Sequence, residues 1–436
     1  MALIRNGAVE PLRLGDDAII STRVDPAPAV EAGVVFAGYG LTVPEMGYDD
    51  LAGLDLKGKV IVYVTGGPSN IPGPLRSHYQ TAAERGQFLE RAGVVGTVGL
   101  PNPHHMDLPW SRIALGSRQA SMALADPALD DQHGLKIAAA VNPERAETWF
   151  EGSGHTFAEI VALADKGQPL PRFPLRVTLR AKSLVQRTEV ESQNIAAILP
   201  GTDPALKDQY VVLTAHIDHL GVGEPINGDR VYNGAMDDAS GVATLLDIAQ
   251  SLHDSKTRLR RSLLFVVVTG EEKGLLGSKF FAAHPTVKPS TMVANLNVDM
   301  FLPLFPLRSV TVYGLNESDL GDEIRKVAKA NGVGIQDDLE PDRNLFIRSD
   351  QYSFIRRGIP ALAFKVGYQK NSPEEKIAKT WLHDRYHAPS DDISQHVDLE
   401  CAARFNALIR ALAEDVADRQ DRPRWNSNSF FRRFAD

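Results

Sequence analysis

The sequence predicts an α/β protein whose larger part is a mostly parallel sheet flanked by helices, preceded by a β-rich half. Three observations predict it. From about Ser192 onward, strand-like and helix-like segments alternate, the pattern of strands joined by crossover helices. The longest strongly apolar run, Leu263-Leu264-Phe265-Val266-Val267-Val268, has the length of a buried strand and not of a membrane span. Residues 1–185, by contrast, break into short β-like runs punctuated by Gly and Pro. Two domains are expected, 1–185 and 186–436.

In the first half, Gly33–Gly40 and Lys57–Val64 read as strands, and Thr65-Gly66-Gly67-Pro68 and Ile71-Pro72-Gly73-Pro74 as turns. A helical pattern over Gln80–Arg91 leads into an apolar strand at Val94–Leu100. The adjacent pair His104-His105 would point to opposite faces of a strand, which argues against a shared site there. In the second half, Tyr210–Ala215, Leu263–Thr269, Val293–Val298, Val310–Tyr313 and Ala361–Phe364 read as strands. Helices are expected over Ser240–Leu252, with Val242, Leu245, Leu246 and Ala249 on the apolar face, over Leu275–Ala283 and near Asp322–Ala330. A last helix runs over Asp398–Val416 through Leu399, Ala402, Ala403, Phe405, Leu408, Ile409 and Leu412, and the tail after Ala417 has no periodicity and is expected to wrap the surface.

Composition narrows the function. The 436 residues carry 47 Lys+Arg against 55 Asp+Glu, a net charge of −8, which disfavours nucleic acid as partner. With 43% hydrophobic residues the chain has ample material for a core. The single cysteine, Cys401, excludes a disulfide framework within the chain and any multi-Cys metal site, so metal chemistry must rest mainly on His, Asp and Glu. No stretch has the length of a membrane span, and the opening Met-Ala-Leu-Ile-Arg-Asn-Gly lacks the features of a signal peptide. No Gly-x-Ser-x-Gly elbow of a serine hydrolase is found.

Ionisable residues concentrate where three strands end: His216-Ile217-Asp218-His219, Gly270-Glu271-Glu272 and Asn297-Val298-Asp299. In open α/β sheets the functional crevice lies at that edge. The loop Asn233–Gly241, holding Asp237-Asp238, precedes a helix, and Trp381–Asp392 offers Tyr386-His387 beside a turn. Singly, these features have ordinary readings: a helix N-cap, a solvated loop, a buried His–Asp pair. Together they gather acids at one edge, and burying unpaired carboxylates requires a compensating charge. Oxygen and imidazole donors without thiolate suit Zn²⁺, Mn²⁺ or Co²⁺. His216 and Asp218, two apart, share a strand face, so the carboxylate is expected to take the second imidazole N–H. Glu271 and Glu272 diverge, letting one bind metal and the other act as a base.

In this order, His-x-Asp, Gly-Ala-x-Asp-Asp-Ala-Ser-Gly, Gly-Glu-Glu, Asn-x-Asp-Met and Tyr-His-x-Pro-x-Asp resemble the co-catalytic di-zinc exopeptidases of metallopeptidase family 28. The resemblance covers Ser192 to the last helix. It implies a zinc-exopeptidase, phosphorylase/hydrolase-like fold and two Zn²⁺, with Mn²⁺ or Co²⁺ as substitutes. Asp237 would bridge the metals, His216 and Asp299 would complete one site, and Glu272 and His387 the other. Glu271 corresponds to the general base, Asp218 to the partner of His216, and Tyr386 to a tyrosine stabilising the oxyanion. A cis Asp237–Asp238 peptide is implied as well.

The activity implied is hydrolysis of a terminal peptide bond in a peptide or amide substrate, an aminopeptidase first of all. The alternatives are a carboxypeptidase of the glutamate carboxypeptidase type and a single-zinc glutaminyl cyclase; a non-enzymatic receptor-like protein would lack some of these residues. Phe36-Ala37-Gly38-Tyr39-Gly40, Tyr48-Asp49-Asp50 and Leu56-Lys57-Gly58-Lys59-Val60 resemble phrases of the protease-associated domain often inserted in the family. That half is expected to restrict access, act as a lid or support a homodimer. The resemblance also implies export to the periplasm or the medium. Arg343, Arg348 and Asp350 are candidates to line a substrate pocket.

Overall fold

The computed structural model describes residues 1–24, 29–106, 108–129, 131 and 134–435. The chain divides into two compact units, Met1–Val190 and Glu191–Asp436.

The first unit is built on one eight-stranded sheet, in the order Ala8–Pro11, Ala2–Arg5, Arg172–Lys182, Ala29–Ala37, Val60–Val64, Gly96–Leu100, Ile137–Val141 and Ala18–Ile20. Its four strands from Ala29–Ala37 to Ile137–Val141 run parallel, and the pairs outside them are antiparallel. The parallel strands are apolar on both faces, with Val60, Ile61, Val62 and Val98 fully buried, as strands covered by helices must be. The helix expected over Gln80–Arg91 is Ala82–Arg91, its first turn capped by the Thr81 hydroxyl. His104 and His105 lie in a short helical turn, not a strand, and both face Asp165, at 2.7 and 3.6 Å. Asp165 therefore accounts for the pair as a surface ion cluster.

The second unit holds a seven-stranded sheet in the order Ile195–Leu199, Ser262–Val268, Tyr210–His216, Met292–Asn297, Ala361–Val366, Ser309–Tyr313 and Gly334–Gln336. Ser262–Val268, Tyr210–His216, Met292–Asn297 and Ala361–Val366 form its parallel centre. Their register sets Thr214 beside Val266 on one side and Asn297 on the other, so the carboxyl ends of three strands emerge together. No helix among the described residues is long and apolar enough to cross a membrane.

The helix Ser240–Asp254 packs on this sheet through Gly241, Thr244, Leu245, Ile248 and Leu252. That stripe corrects the expected one at Leu246, which stands 65% exposed: the i, i+3, i+4 series runs through Thr244 and Ile248 instead. In the same way Leu399 is outside the buried face of the helix Leu399–Asp418, which runs from Cys401 through Phe405, Leu408, Ile409, Leu412 and Val416. Burial pushes the Cys401 thiol up to about 12, which leaves it inert. The tail does more than wrap. Trp425 and Phe431 are buried against Ile347, Tyr352, Ile355 and Ala361, and the Trp425 indole donates to the Gly358 carbonyl at 2.9 Å.

Candidate metal centre

Three of the four strands of the parallel centre deliver site residues by stopping. Tyr210–His216 ends on His216, Ser262–Val268 leads into Glu271 and Glu272, and Met292–Asn297 into Asp299. The backbone turns there, so the polar groups sit at the edge while the apolar strand stays covered. Asp237 comes from the segment before the helix Ser240–Asp254, and its peptide bond to Asp238 is cis. His387 follows the helix Pro373–Asp384 with a φ of 54°, the left-handed region that few non-glycine residues adopt.

Two donor groups result. In the first, His216 Nε2 lies 3.2 Å from Asp237 Oδ1 and 3.8 Å from Asp299 Oδ1. In the second, His387 Nε2 lies 3.0 Å from Glu272 Oε2 and 3.4 Å from Asp237 Oδ2. Asp237 thus presents one oxygen to each group. A further residue, His219, joins the second group, with Nδ1 2.7 Å from Glu272 Oε1. Sequence reasoning had not singled it out, although the fourth residue of His-x-Asp-His was the available signal.

The surroundings hold these atoms in place. His216 Nδ1–H donates to the main-chain carbonyl of Asp218 at 2.9 Å, which turns Nε2 towards the acids. The Asp218 carboxylate, 3.9 Å from that nitrogen, is engaged elsewhere and does not take the imidazole N–H as expected: it accepts the main-chain N–H groups of Glu271 and Glu272 at 3.1 and 3.3 Å. Past the end of the strand the two-residue alternation no longer applies, so the side chain turns to the neighbouring loop. Asp238 ties three segments together, accepting from His216 N at 3.2 Å, Gly241 N at 2.9 Å and Met300 N at 3.0 Å. Asp391 holds Met236 N and Asp237 N at 2.9 and 3.1 Å. The Ser349 hydroxyl donates to Asp299 Oδ2, leaving Oδ1 on the side of His216.

Charge follows geometry. Burial opposes a charged His387, but the Asp237 and Glu272 carboxylates outweigh it and push its pKa up to about 10. Burial likewise works against ionised Asp237, and the His216 and His387 imidazoles beside it hold its pKa well below the usual range. At Glu271 burial prevails over the opposing charge of His216 and, reinforced by Asp299, Asp350 and Glu272, raises the pKa well above the ordinary value. Tyr386 packs against His387 with ring centroids 3.9 Å apart and the planes tilted by 31°, and burial together with Asp237, Glu272 and Glu271 raises its hydroxyl pKa. The expected pocket residues part company. Asp350 is fully buried near His216, Asp299 and Asp218, its pKa raised to about 7 by burial. Arg343 pairs with Glu340 at 2.9 Å and lines a cavity with Tyr313, Lys365 and Tyr368.

The donor set suits a cation. His216 Nε2 and Glu272 Oε1 are buried without a hydrogen-bond partner, and carboxylate oxygens converge on imidazole nitrogens in both groups. Buried acids so arranged are stabilised by positive charge between them.

Known proteins are similar to this chain in sequence and in fold. The chain is 31% identical over 213 residues to aminopeptidase Y of Saccharomyces cerevisiae, covering 47% of this chain and 35% of that protein. It is 24% identical over 169 residues to carboxypeptidase Q of Xenopus laevis, covering 37% and 34%. The chain therefore spans about a third of the length of these relatives. Among solved structures, the aminopeptidase from Aneurinibacillus sp. strain AM-1 shares the fold, with a TM-score of 0.51 and 18% identity over 98% of this chain and 84% of that one. The sequence model of Peptidase family M28 matches residues 194–413, half of the chain and the whole stretch that carries both donor groups. This chain belongs to peptidase family M28.

Proposed function

We propose that the second unit is a two-zinc exopeptidase that removes residues from the free amino terminus of peptides. The observation that carries this reading is the Asp237 carboxylate, with one oxygen in each donor group. A second donor group also separates it from a single-zinc cyclase. His216, Asp237 and Asp299 would hold one ion, and Asp237, Glu272 and His387 the other. Zinc ions, when bound, polarise the scissile carbonyl and acidify the attacking water.

The remaining work falls to the chain. Glu271, kept as a proton acceptor of raised basicity by its burial among acids, takes the proton of the attacking water. The water oxygen bonds to the carbonyl carbon, the C–N bond breaks, and Glu271 delivers the proton to the departing amine. Tyr386, held neutral, donates its hydroxyl to the carbonyl oxygen as negative charge develops there. Asp218 fixes the Glu271–Glu272 turn through its two main-chain amides, so the base and the neighbouring donor keep their divergence.

The first unit we read as a protease-associated-like accessory domain. Two phrases that support this meet in one place, where Asp50 accepts from Tyr39 N, Leu41 N and the Tyr48 hydroxyl.

The test is a short peptide offered to the zinc-loaded protein in four forms, with neither, either or both ends blocked, and products read by mass. Cleavage is expected wherever the amino terminus is free, whether or not the carboxyl end is amidated. Cleavage of the N-acetylated peptide with a free carboxylate makes the enzyme a carboxypeptidase, and no cleavage of any form overturns the reading.

A further inference from the structure

We infer that His219 is itself a ligand of the second metal position, which makes that position a set of two imidazoles and two carboxylates. The inference rests on the two-metal reading above and deepens it.

His219 stands just past the end of the strand Tyr210–His216, with its side chain 5% exposed. Its Nδ1 lies 2.7 Å from Glu272 Oε1 and 4.0 Å from Asp237 Oδ2. Neither ring nitrogen, nor Glu272 Oε1, has a hydrogen-bond partner. A nitrogen and an oxygen at 2.7 Å that are not aligned for a hydrogen bond are placed as donors directed at a common third point. Glu272 stands between two imidazoles, Oε1 towards His219 and Oε2 towards His387, whose rings meet edge-on at 5.7 Å and 69°.

The ring has been given its space. Gly234 has a φ of +67°, and a Cβ there would lie 2.6 Å from His219 Cβ and Cγ. Any side chain at 234 would expel the ring from the second group. The glycine is three residues before Asp237, so the segment that carries the shared carboxylate also makes room for the extra imidazole.

The two positions are then unequal. The first has one imidazole, His216, with Asp237 and Asp299; the second has two imidazoles with Asp237 and Glu272. More nitrogen donors favour Zn²⁺ over Mg²⁺ or Mn²⁺, so the second position is expected to fill first and empty last.

The experiment counts imidazoles directly. The full chain is loaded with Co²⁺, and exchangeable, strongly shifted imidazole N–H signals are counted by proton NMR. In parallel, bound zinc is measured by mass spectrometry against a competing chelator. Wild type is expected to bind two ions and show three such signals. His219→Ala and His219→Asn are expected to show two signals and to weaken one ion by more than the about 10–100-fold typical of a residue that only orients a ligand. Gly234→Ala is expected to reproduce this loss. Two signals in the wild type, or a loss in the variants no larger than 10–100-fold, overturns ligation by His219 and leaves the two-metal reading standing. Wild type binding a single ion overturns that reading, and this inference with it. If the variants fail to fold, the wild-type signal count decides.

Discussion

The carboxylate of Asp391 accepts the main-chain N–H of Asp237 at 3.1 Å across 154 positions of sequence. Its other oxygen accepts the N–H of Met236 at 2.9 Å, and the same carboxylate takes the Gln395 side-chain amide. The residue shared by the two donor groups is thus held from behind by a loop that follows His387 by four residues. Replacing Asp391 with Ala leaves two buried amides unpaired, at about 1–3 kcal/mol each. We expect the unfolding midpoint in urea to fall accordingly and zinc affinity to drop about 10–100-fold, since the shared carboxylate loses its support. Unchanged zinc affinity would show that Asp237 needs no such backing.

Glu271→Gln keeps the shape of the side chain and removes its basicity. Turnover is expected to fall by about 10²–10⁴. Zinc content should stay at the wild-type value, because Glu272, and not Glu271, faces the imidazoles. A loss of metal together with activity would reverse the roles of the two glutamates.

Gly241 lies in the first turn of the helix Ser240–Asp254, where a Cβ would lie 2.4 Å from both Asp238 Oδ2 and the Val298 carbonyl. Ala is the better helix former by about 1 kcal/mol. Here the clash decides, and Gly241→Ala is expected to destabilise by about 1–3 kcal/mol. Gly116, exposed at the end of a helix in the first unit with nothing within 4 Å of its Cβ position, is the control. Gly116→Ala is expected to be neutral or stabilising by about 0.4–1 kcal/mol in the same denaturant titration.

Asp50 sets a pH dependence in the first unit. Burial raises its pKa to about 6, outweighing the hydrogen bonds from Tyr48, Leu41 and Tyr39. Between pH ~4 and ~6 the folded unit keeps a proton that the unfolded chain releases. Its contribution to stability therefore declines as pH rises through that window, by roughly 3 kcal/mol, and is flat above it. Asp50→Asn removes the titration. The stability difference between wild type and variant, read from hydrogen exchange over residues 34–64, should shrink from pH 4 to 6 and then level off. A constant difference would place the Asp50 pKa near its ordinary value.

Much of this was legible in the sequence because buried parallel strands read as unbroken apolar runs. Ser262–Val268 was recognisable to within a residue, and the strand ends put His216, Glu271, Glu272 and Asp299 at one edge. What stayed hidden lacked a periodic signal. The edge strand Ile195–Leu199 pairs antiparallel on one side only and is largely exposed, so its burial has no pattern to show. The helix Pro373–Asp384 is polar on most positions, and its signature was the Ser372 cap with Pro and two glutamates, not an apolar stripe. Leu246 and Leu399 are apolar yet face outward, which periodicity counted alone assigns to the core. Trp425 and Phe431 are buried by aromatic packing in a segment without repeat. His219 was obscured because adjacency to a strand end does not reveal which way a ring turns after the strand has stopped.

The donor groups draw on residues from His216 to His387, near the two ends of the second unit. During synthesis, then, a chain that has emerged only as far as the helix Leu320–Ala330 already carries His216, Asp237, Glu271, Glu272 and Asp299, but neither His387 nor Asp391. The second position lacks a donor and the shared carboxylate lacks its brace until residues 387–391 have left the ribosome. On the two-metal reading proposed above, a copy still lacking His387 has no complete second position, so an unfinished chain is expected to be poorly equipped to cut its neighbours.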